Sequence, residues 1–122
     1  MKGTVVVGHG SRSKDAVDVF FKIVDGLRNK IEGEVEGCFM ELSRPNIPET
    51  FEKMYENGVR DFTVLPYFLF NGIHIKEDIP EILREIKEKY GDIKISMAGP
   101  LGYHECIIDM LKERADGETV CI

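Results

Sequence analysis

The sequence has little cysteine and no cysteine pairing. Cys38, Cys106 and Cys121 are the three it carries. None stands in a Cys-x-x-Cys, none falls at a zinc spacing, and the odd number argues against a disulfide framework. They read as reduced thiols, with Cys38 packed in a strand. No apolar run approaches the roughly 20 residues that a membrane helix needs, so no membrane partner is expected. The first residues, MKGTVVVGHG, go straight into a strand without the pattern of a cleavable leader, and the cytoplasm is the expected location. Positive charge is in deficit: 16 Lys and Arg stand against 22 Asp and Glu, a formal net charge of −6. That argues against nucleic acid as the main partner. A small anionic ligand stays open, because it feels local charge more than the total.

What remains is an ordinary globular composition in 122 residues, 43% hydrophobic and 31% charged, which predicts one domain over 1–122. A chain of this length buries roughly two thirds of its unfolded surface, enough for a core without staples. Four short apolar runs mark strands: Thr4–Val7, Val35–Leu42, Phe62–Phe70 and Ile93–Ala98. Several are apolar on successive residues, as parallel strands covered on both faces require.

Helical periodicity fills the gaps. Val17, Phe20, Val24, Leu27 and Ile31 share one face; so do Ile47, Phe51, Met54 and Tyr55, then Ile79, Ile82, Leu83, Ile86 and Tyr90. A shorter set, Ile107, Ile108 and Leu111, closes the chain. Two helix starts are spelled alike, "NIPE" at Asn46–Glu49 and "DIPE" at Asp78–Glu81. In each, Asn or Asp is placed to cap and Pro sits in the first turn, where its missing N–H costs nothing. Gly58 and Gly91 fit helix exits. The sum is βαβαβαβα, which predicts an α/β fold with a four-stranded parallel sheet, helices on both sides and right-handed crossovers. An exposed flank or apolar helix face of so small a sheet suits a second copy of the chain.

In open α/β sheets ligands bind outside the carboxyl ends of the strands, so the residues after each run carry the chemistry. They are Gly8-His9-Gly10-Ser11-Arg12, then Glu41-Leu42-Ser43-Arg44, then Asn71-Gly72-Ile73-His74, then Gly99-Pro100-Leu101-Gly102. Two of the three histidines share this rim. Their separation carries no metal motif; the shared rim makes them a pair. Neutral imidazoles suit divalent cobalt, nickel, iron or zinc, and an ordinary imidazole, with a pKa of about 6.5, also accepts protons at neutral pH. His104 reads as a capping or solvent-facing residue. Glu41 is either an acid/base residue or the ion-pair partner of Arg44. Arg12, Lys14 and Arg44 put positive charge at the rim of an acidic protein, which suits a carboxylate-bearing ligand. The stretch Tyr67–Phe70 is read as mostly core, its last one or two residues forming a greasy wall beside His74.

Four blocks resemble a known family. "GHGSR" (Gly8–Arg12), "MELSRPNIPE" (Met40–Glu49), "VLPYFLFNGIHIKEDIP" (Val64–Pro80) and "GPLG" (Gly99–Gly102) are similar to the small class II chelatases. These are the sirohydrochlorin cobaltochelatases of the anaerobic cobalamin pathway and the archaeal relatives that insert nickel for the methanogenic nickel tetrapyrrole. The resemblance implies a chelatase-like three-layer α/β/α domain that works as a homodimer. It implies ATP-independent insertion of cobalt or nickel, as substrate metal, into the anionic tetrapyrrole sirohydrochlorin, with no permanently bound cofactor. It places His9 and His74 as metal ligands and His9 as proton acceptor. Arg44, Leu69, Phe70, Asn71, Gly72, Ile73 and His74 match tetrapyrrole-binding positions. Glu41, Ser11 and Arg12 stand beside them as acid/base or supporting residues. The histidine-rich insertion of some archaeal relatives is missing, since Lys87–Lys94 has no histidine. The glycines flanking His9 are expected to bare it to a wide flat ligand.

Other readings weigh less. A histidine phosphatase wants Arg immediately before the histidine, where this chain has Gly8. A flavodoxin-like phosphate loop at Gly10–Ser13 leaves His74 unexplained. A non-catalytic metal or tetrapyrrole carrier has nearly the same site and is the principal alternative.

Overall fold

The computed structural model describes residues 1–122. The elements follow in the order β1 (Lys2–Gly8), α1 (Lys14–Arg28), β2 (Glu34–Phe39), α2 (Ile47–Glu56), β3 (Asp61–Pro66), a π-helical turn (His74–Asp78), α3 (Ile79–Lys89), β4 (Lys94–Met97) and α4 (Glu105–Asp116). All strand pairs are parallel, in the order β2-β1-β3-β4. The four-stranded α/β architecture anticipated from the alternating pattern is the one observed.

Burial on both faces of β1 follows from its run of valines. Val5 and Val7 point into the larger core with Cys38, Ile47, Phe51, Met54, Phe62, Val64, Ile79 and Leu83, under α2 and α3. Val6 points the other way, into a smaller cluster with Phe20, Val24, Val35 and Phe39 beneath α1. Each fully buried side chain of this kind contributes about 1.5–3 kcal/mol, and stacking of Phe51 on Phe62, 4.5 Å between centroids, adds to it. Burial also pushes the Cys38 thiol up to about 12, so it is inert packing material and no nucleophile.

Three expectations are corrected here. The third apolar run ends as a strand at Pro66, not Phe70; beyond it Tyr67 is exposed, half-buried Phe68 packs against the larger core, and Leu69 and Phe70, the last two, are exposed at the rim. Gly91 is not a left-handed exit, whereas Gly58, at φ +100°, is. The Ile107, Ile108 and Leu111 face joins no core: Ile108 and Leu111 are exposed, and only Ile107 is half-buried, beside Phe70. Its lead-in explains this. The amides of Leu101 and Gly102 donate to the carbonyls of Phe68 and Leu69 at 2.9 and 2.7 Å. They hold the last loop at the rim, so α4 departs from beyond the sheet.

The two helix starts that are spelled alike fold differently. At "NIPE", Asn46 is extended and a full capping box forms: Asn46 Oδ1 accepts from the Glu49 amide and Glu49 Oε1 from the Asn46 amide, both at 2.9 Å. At "DIPE", Asp78 is already helical (φ −67°, ψ −50°) and caps nothing. The helix has begun upstream, in the π turn, where the Ile79 amide bonds the His74 carbonyl. The Asp78 carboxylate is therefore free for another partner. No helix is long and apolar enough to cross a membrane.

Candidate functional site

The strand order puts β1 at the centre, with β2 and β3 on either side. The chain passes from β1 to β2 on one side and then crosses back over β1 to β3 on the other, so the crevice beyond the carboxyl ends of β1 and β3 is a switch point of the sheet. His9 follows β1 and His74 opens the π turn after β3. Their rings face each other, centroids 5.1 Å apart and planes at 58°. Sixty-four residues lie between them in sequence, yet both imidazoles reach one point in space.

Each histidine has a carboxylate. His9 Nε2 lies 3.0 Å from Glu41 Oε1, and His74 Nδ1 lies 2.8 Å from Asp78 Oδ2. Of the two roles open to Glu41, ion-pair partner of Arg44 is excluded: Arg44 pairs with Glu49 instead. The Asn46 amide and then Arg44 hold the Glu49 carboxyl below its ordinary range.

Glu41 reaches His9 because two loops are stitched together. The Glu41 amide donates to the His9 carbonyl at 3.1 Å, and the Met40 amide to Gly8 at 3.0 Å. Ser43 Oγ donates to the Ser11 carbonyl at 2.6 Å and accepts from the Ser11 amide at 3.0 Å. Ser11 is thus a supporting residue, and its Oγ accepts from the Ser13 amide at 3.0 Å. With the amides at 11 and 13 committed, and Ser13 capping α1, a phosphate loop at Gly10–Ser13 has lost these donors.

The flanking glycines face inward and do not serve to bare the imidazole. A Cβ on Gly8 would stand 2.9 Å from the Phe20 ring, and one on Gly10 would stand 1.7 Å from the Glu41 carbonyl oxygen. Gly10 also has φ +109°, a conformation that favours glycine. The absence of side chains at 8 and 10 lets the chain close behind His9 and seat Glu41 against it.

A greasy wall stands beside the pair. Phe68 lies 6.3 Å from the His74 ring, planes at 32°. Leu69, Phe70 and Ile73 are exposed at 52%, 75% and 62%, with Asn71 and Gly72 between them also exposed. So many bared apolar side chains in one stretch mark a contact surface. Of the three cations expected at the rim, Lys14 is tied to Asp18 and Arg44 to Glu49, while Arg12 makes no ion pair. His104 is a cap: its Nδ1 accepts from the Cys106 amide at 3.1 Å.

Sequence reading missed the partnership of Asp78 with His74 and the place of Phe68. The first had a signal, the i,i+4 spacing of His and Asp in "HIKED", masked by the stronger resemblance of "DIPE" to a helix start.

The chain is similar to known proteins in sequence and in fold. A family model described as CbiX matches residues 3–118. A sirohydrochlorin cobaltochelatase of Sulfurisphaera tokodaii is 39% identical over 116 residues, covering 95% of this chain and 92% of that one. A sirohydrochlorin ferrochelatase of Priestia megaterium is 31% identical across 98% of this chain, but this chain spans only 46% of that protein's length. The crystal structure of the sirohydrochlorin chelatase SirB from Bacillus subtilis subspecies spizizenii, in complex with cobalt, superposes with a TM-score of 0.88 at 30% identity. The overlap covers 93% of this chain and 49% of that one. A match over nearly the whole length, with relatives of both full and double size, establishes that the chain belongs to the CbiX family, the small class II chelatases.

Proposed function

We propose that this protein inserts a divalent metal, cobalt in the first instance, into sirohydrochlorin without ATP. The observation that carries the proposal is the facing pair His9 and His74, 5.1 Å apart on an open rim. Around it, exposed Leu69, Phe70 and Ile73 offer a flat apolar contact to a macrocycle, and the unpaired Arg12 offers charge to its carboxylates. The cobaltochelatase and cobalt-bound relatives support cobalt and a place in cobalamin synthesis. Imidazole ligands suit nickel equally, so nickel and the methanogenic tetrapyrrole belong to the same proposal. The cytoplasm is the compartment proposed.

Metallation removes two pyrrole protons and replaces the waters of the ion with ring nitrogens. The two carboxylates divide these tasks. An ionised carboxylate only accepts hydrogen bonds, so His74, with Nδ1 held by Asp78, keeps Nε2 as a free lone pair for the metal. His9 takes the two pyrrole protons in turn, releasing the first to water at the open rim before accepting the second, and Glu41, 3.0 Å from Nε2, stabilises the imidazolium each time. A nitrogen holding a proton cannot hold a metal, so His9 serves the ion and the proton at different moments. Side chains fixed on two loops supply orientation.

The test is an anaerobic absorbance time course with sirohydrochlorin and Co²⁺, and in parallel Ni²⁺, with and without protein. Conversion to the metallated spectrum far above the uncatalysed rate is expected. A spectrum that shifts on binding and then stands still would instead identify a carrier.

A homodimer is part of the same proposal. The α1 face of the sheet leaves Thr63 and Ser96 of β3 and β4 exposed, and α4 exposes Ile108, Met110 and Leu111. A second copy covers both. Sedimentation is expected to give twice 13.9 kDa; a monomer under assay conditions would remove this part.

A further inference from the structure

We infer that Asp78 is a positioning residue: it fixes the proton of His74 on Nδ1 and so presents Nε2, unprotonated, to the incoming metal. The inference rests on the reading of His74 as a metal ligand and adds to it the residue that makes the ring competent before the metal arrives.

Free neutral imidazole side chains favour the tautomer with the proton on Nε2, the wrong one for a ligand whose remaining open nitrogen is Nε2. Something has to reverse that preference. Asp78 Oδ2, 2.8 Å from Nδ1, does so by accepting a bond that only the Nδ1–H form can donate. Hydrogen bonding of the second ring nitrogen to a carboxylate is the usual means of orienting a histidine ligand.

Backbone geometry and exposure point the same way. The π turn brings position 78 into the helix before α3 begins, leaving Asp78 helical and without a capping bond. Its carboxylate forgoes the role that its twin sequence at Asn46 performs. Nor does the pair secure the fold: the His74 and Asp78 side chains are 39% and 45% exposed, and ion pairs so open to water contribute little to stability. Buried Ile75 anchors the turn, and Phe68 lies along one side of the ring. The bond to Asp78 adds the one thing that packing cannot specify, the position of the proton.

The experiment reads the tautomer directly. Protein labelled with ¹⁵N in its three histidines is examined by two-dimensional NMR at about pH 8.5, where an ordinary imidazole is neutral. His9→Gln and His104→Gln spectra assign the signals. His74 is expected to show a protonated Nδ1 and an unprotonated Nε2. In Asp78→Ala the proton moves to Nε2, and Co²⁺ affinity, followed by titration, falls about 10–100-fold. Asp78→Asn, whose amide oxygen still accepts from Nδ1–H, keeps the parent tautomer and most of the affinity. Should Asp78→Ala fail to fold, Asp78→Lys removes the acceptor equally, with its ammonium free to extend into water. An unchanged tautomer after loss of the acceptor, or an Nε2–H form in the parent, overturns the proposal. No tetrapyrrole and no metal is present in the NMR samples. A protein that shows the expected tautomer and never metallates sirohydrochlorin therefore defeats the functional reading alone.

Discussion

His9→Ala and His74→Ala are each expected to lower kcat/KM for sirohydrochlorin metallation by about 10²–10⁴-fold, the range that a positioned acid or base contributes. Their stability should stay close to that of the parent protein, because both rings lie at an open rim and surface substitutions there cost about 0.5 kcal/mol or less. The two losses should differ in kind. Removing His9 takes away the proton acceptor and falls on kcat; removing His74 takes away the ligand with a free lone pair and raises the metal concentration needed for half-maximal rate. Because both rings serve one ion, the double variant should lose far less than the product of the two single losses. Activity within tenfold of the parent in either single variant would mean that the facing pair is not the reaction centre.

Gly10→Ala should be the most damaging single methyl group that can be added near the site. The new Cβ would stand 1.7 Å from the Glu41 carbonyl oxygen, and alanine would have to adopt φ +109°. Left-handed strain alone costs about 1–3 kcal/mol. Backbone atoms, unlike the end of a side chain, cannot swing aside, so the total should exceed about 3 kcal/mol. A denaturant melt measures it directly. If the loops part instead of unfolding, Glu41 leaves His9 and activity falls while stability recovers; either result ties Gly10 to the seam behind His9. A variant that is both fully stable and fully active would show that this close approach does not exist. Gly72 is the useful contrast, since nothing lies within 4 Å of its Cβ position.

Those two sites show where the sequence is readable and where it is not. Strands and their order of appearance are legible because burial on both faces leaves a trace in composition, as at Val5–Val7. The rim is legible because topology alone sends the ends of parallel strands to one edge. The overrun of the third strand has a physical origin: Tyr67–Phe70 is as apolar as a strand, but Leu69 and Phe70 serve a contact surface, and composition does not distinguish the two. Gly8 and Gly10 were legible as unusual, yet their reason was not, because what a missing Cβ would strike depends on how Phe20 of α1 and the Glu41 loop pack back on them. Glu41 could have gone to Arg44 or to His9, and only the Ser11–Ser43 seam decides it. "NIPE" and "DIPE" are nearly identical as strings. They diverge because Asn46 is itself extended, at the end of a bent loop, whereas Asp78 follows a helical turn already under way.

That wide turn also gives the site an evolutionary weakness of a particular sort. A π-helical turn holds one residue more than the α-helical turn it replaces. Loss of a single codon within Ile75–Glu77 would restore an ordinary helical path that sweeps nearly the same arc, so His74 would keep its direction relative to α3 while its spacing to Asp78 shrank from four residues to three. Both histidines and both carboxylates would still be encoded, and a comparison by residue identity would find every one of them. The bond between His74 and Asp78 would nonetheless have to be remade at another spacing, because it is written in the interval of the chain as much as in its letters.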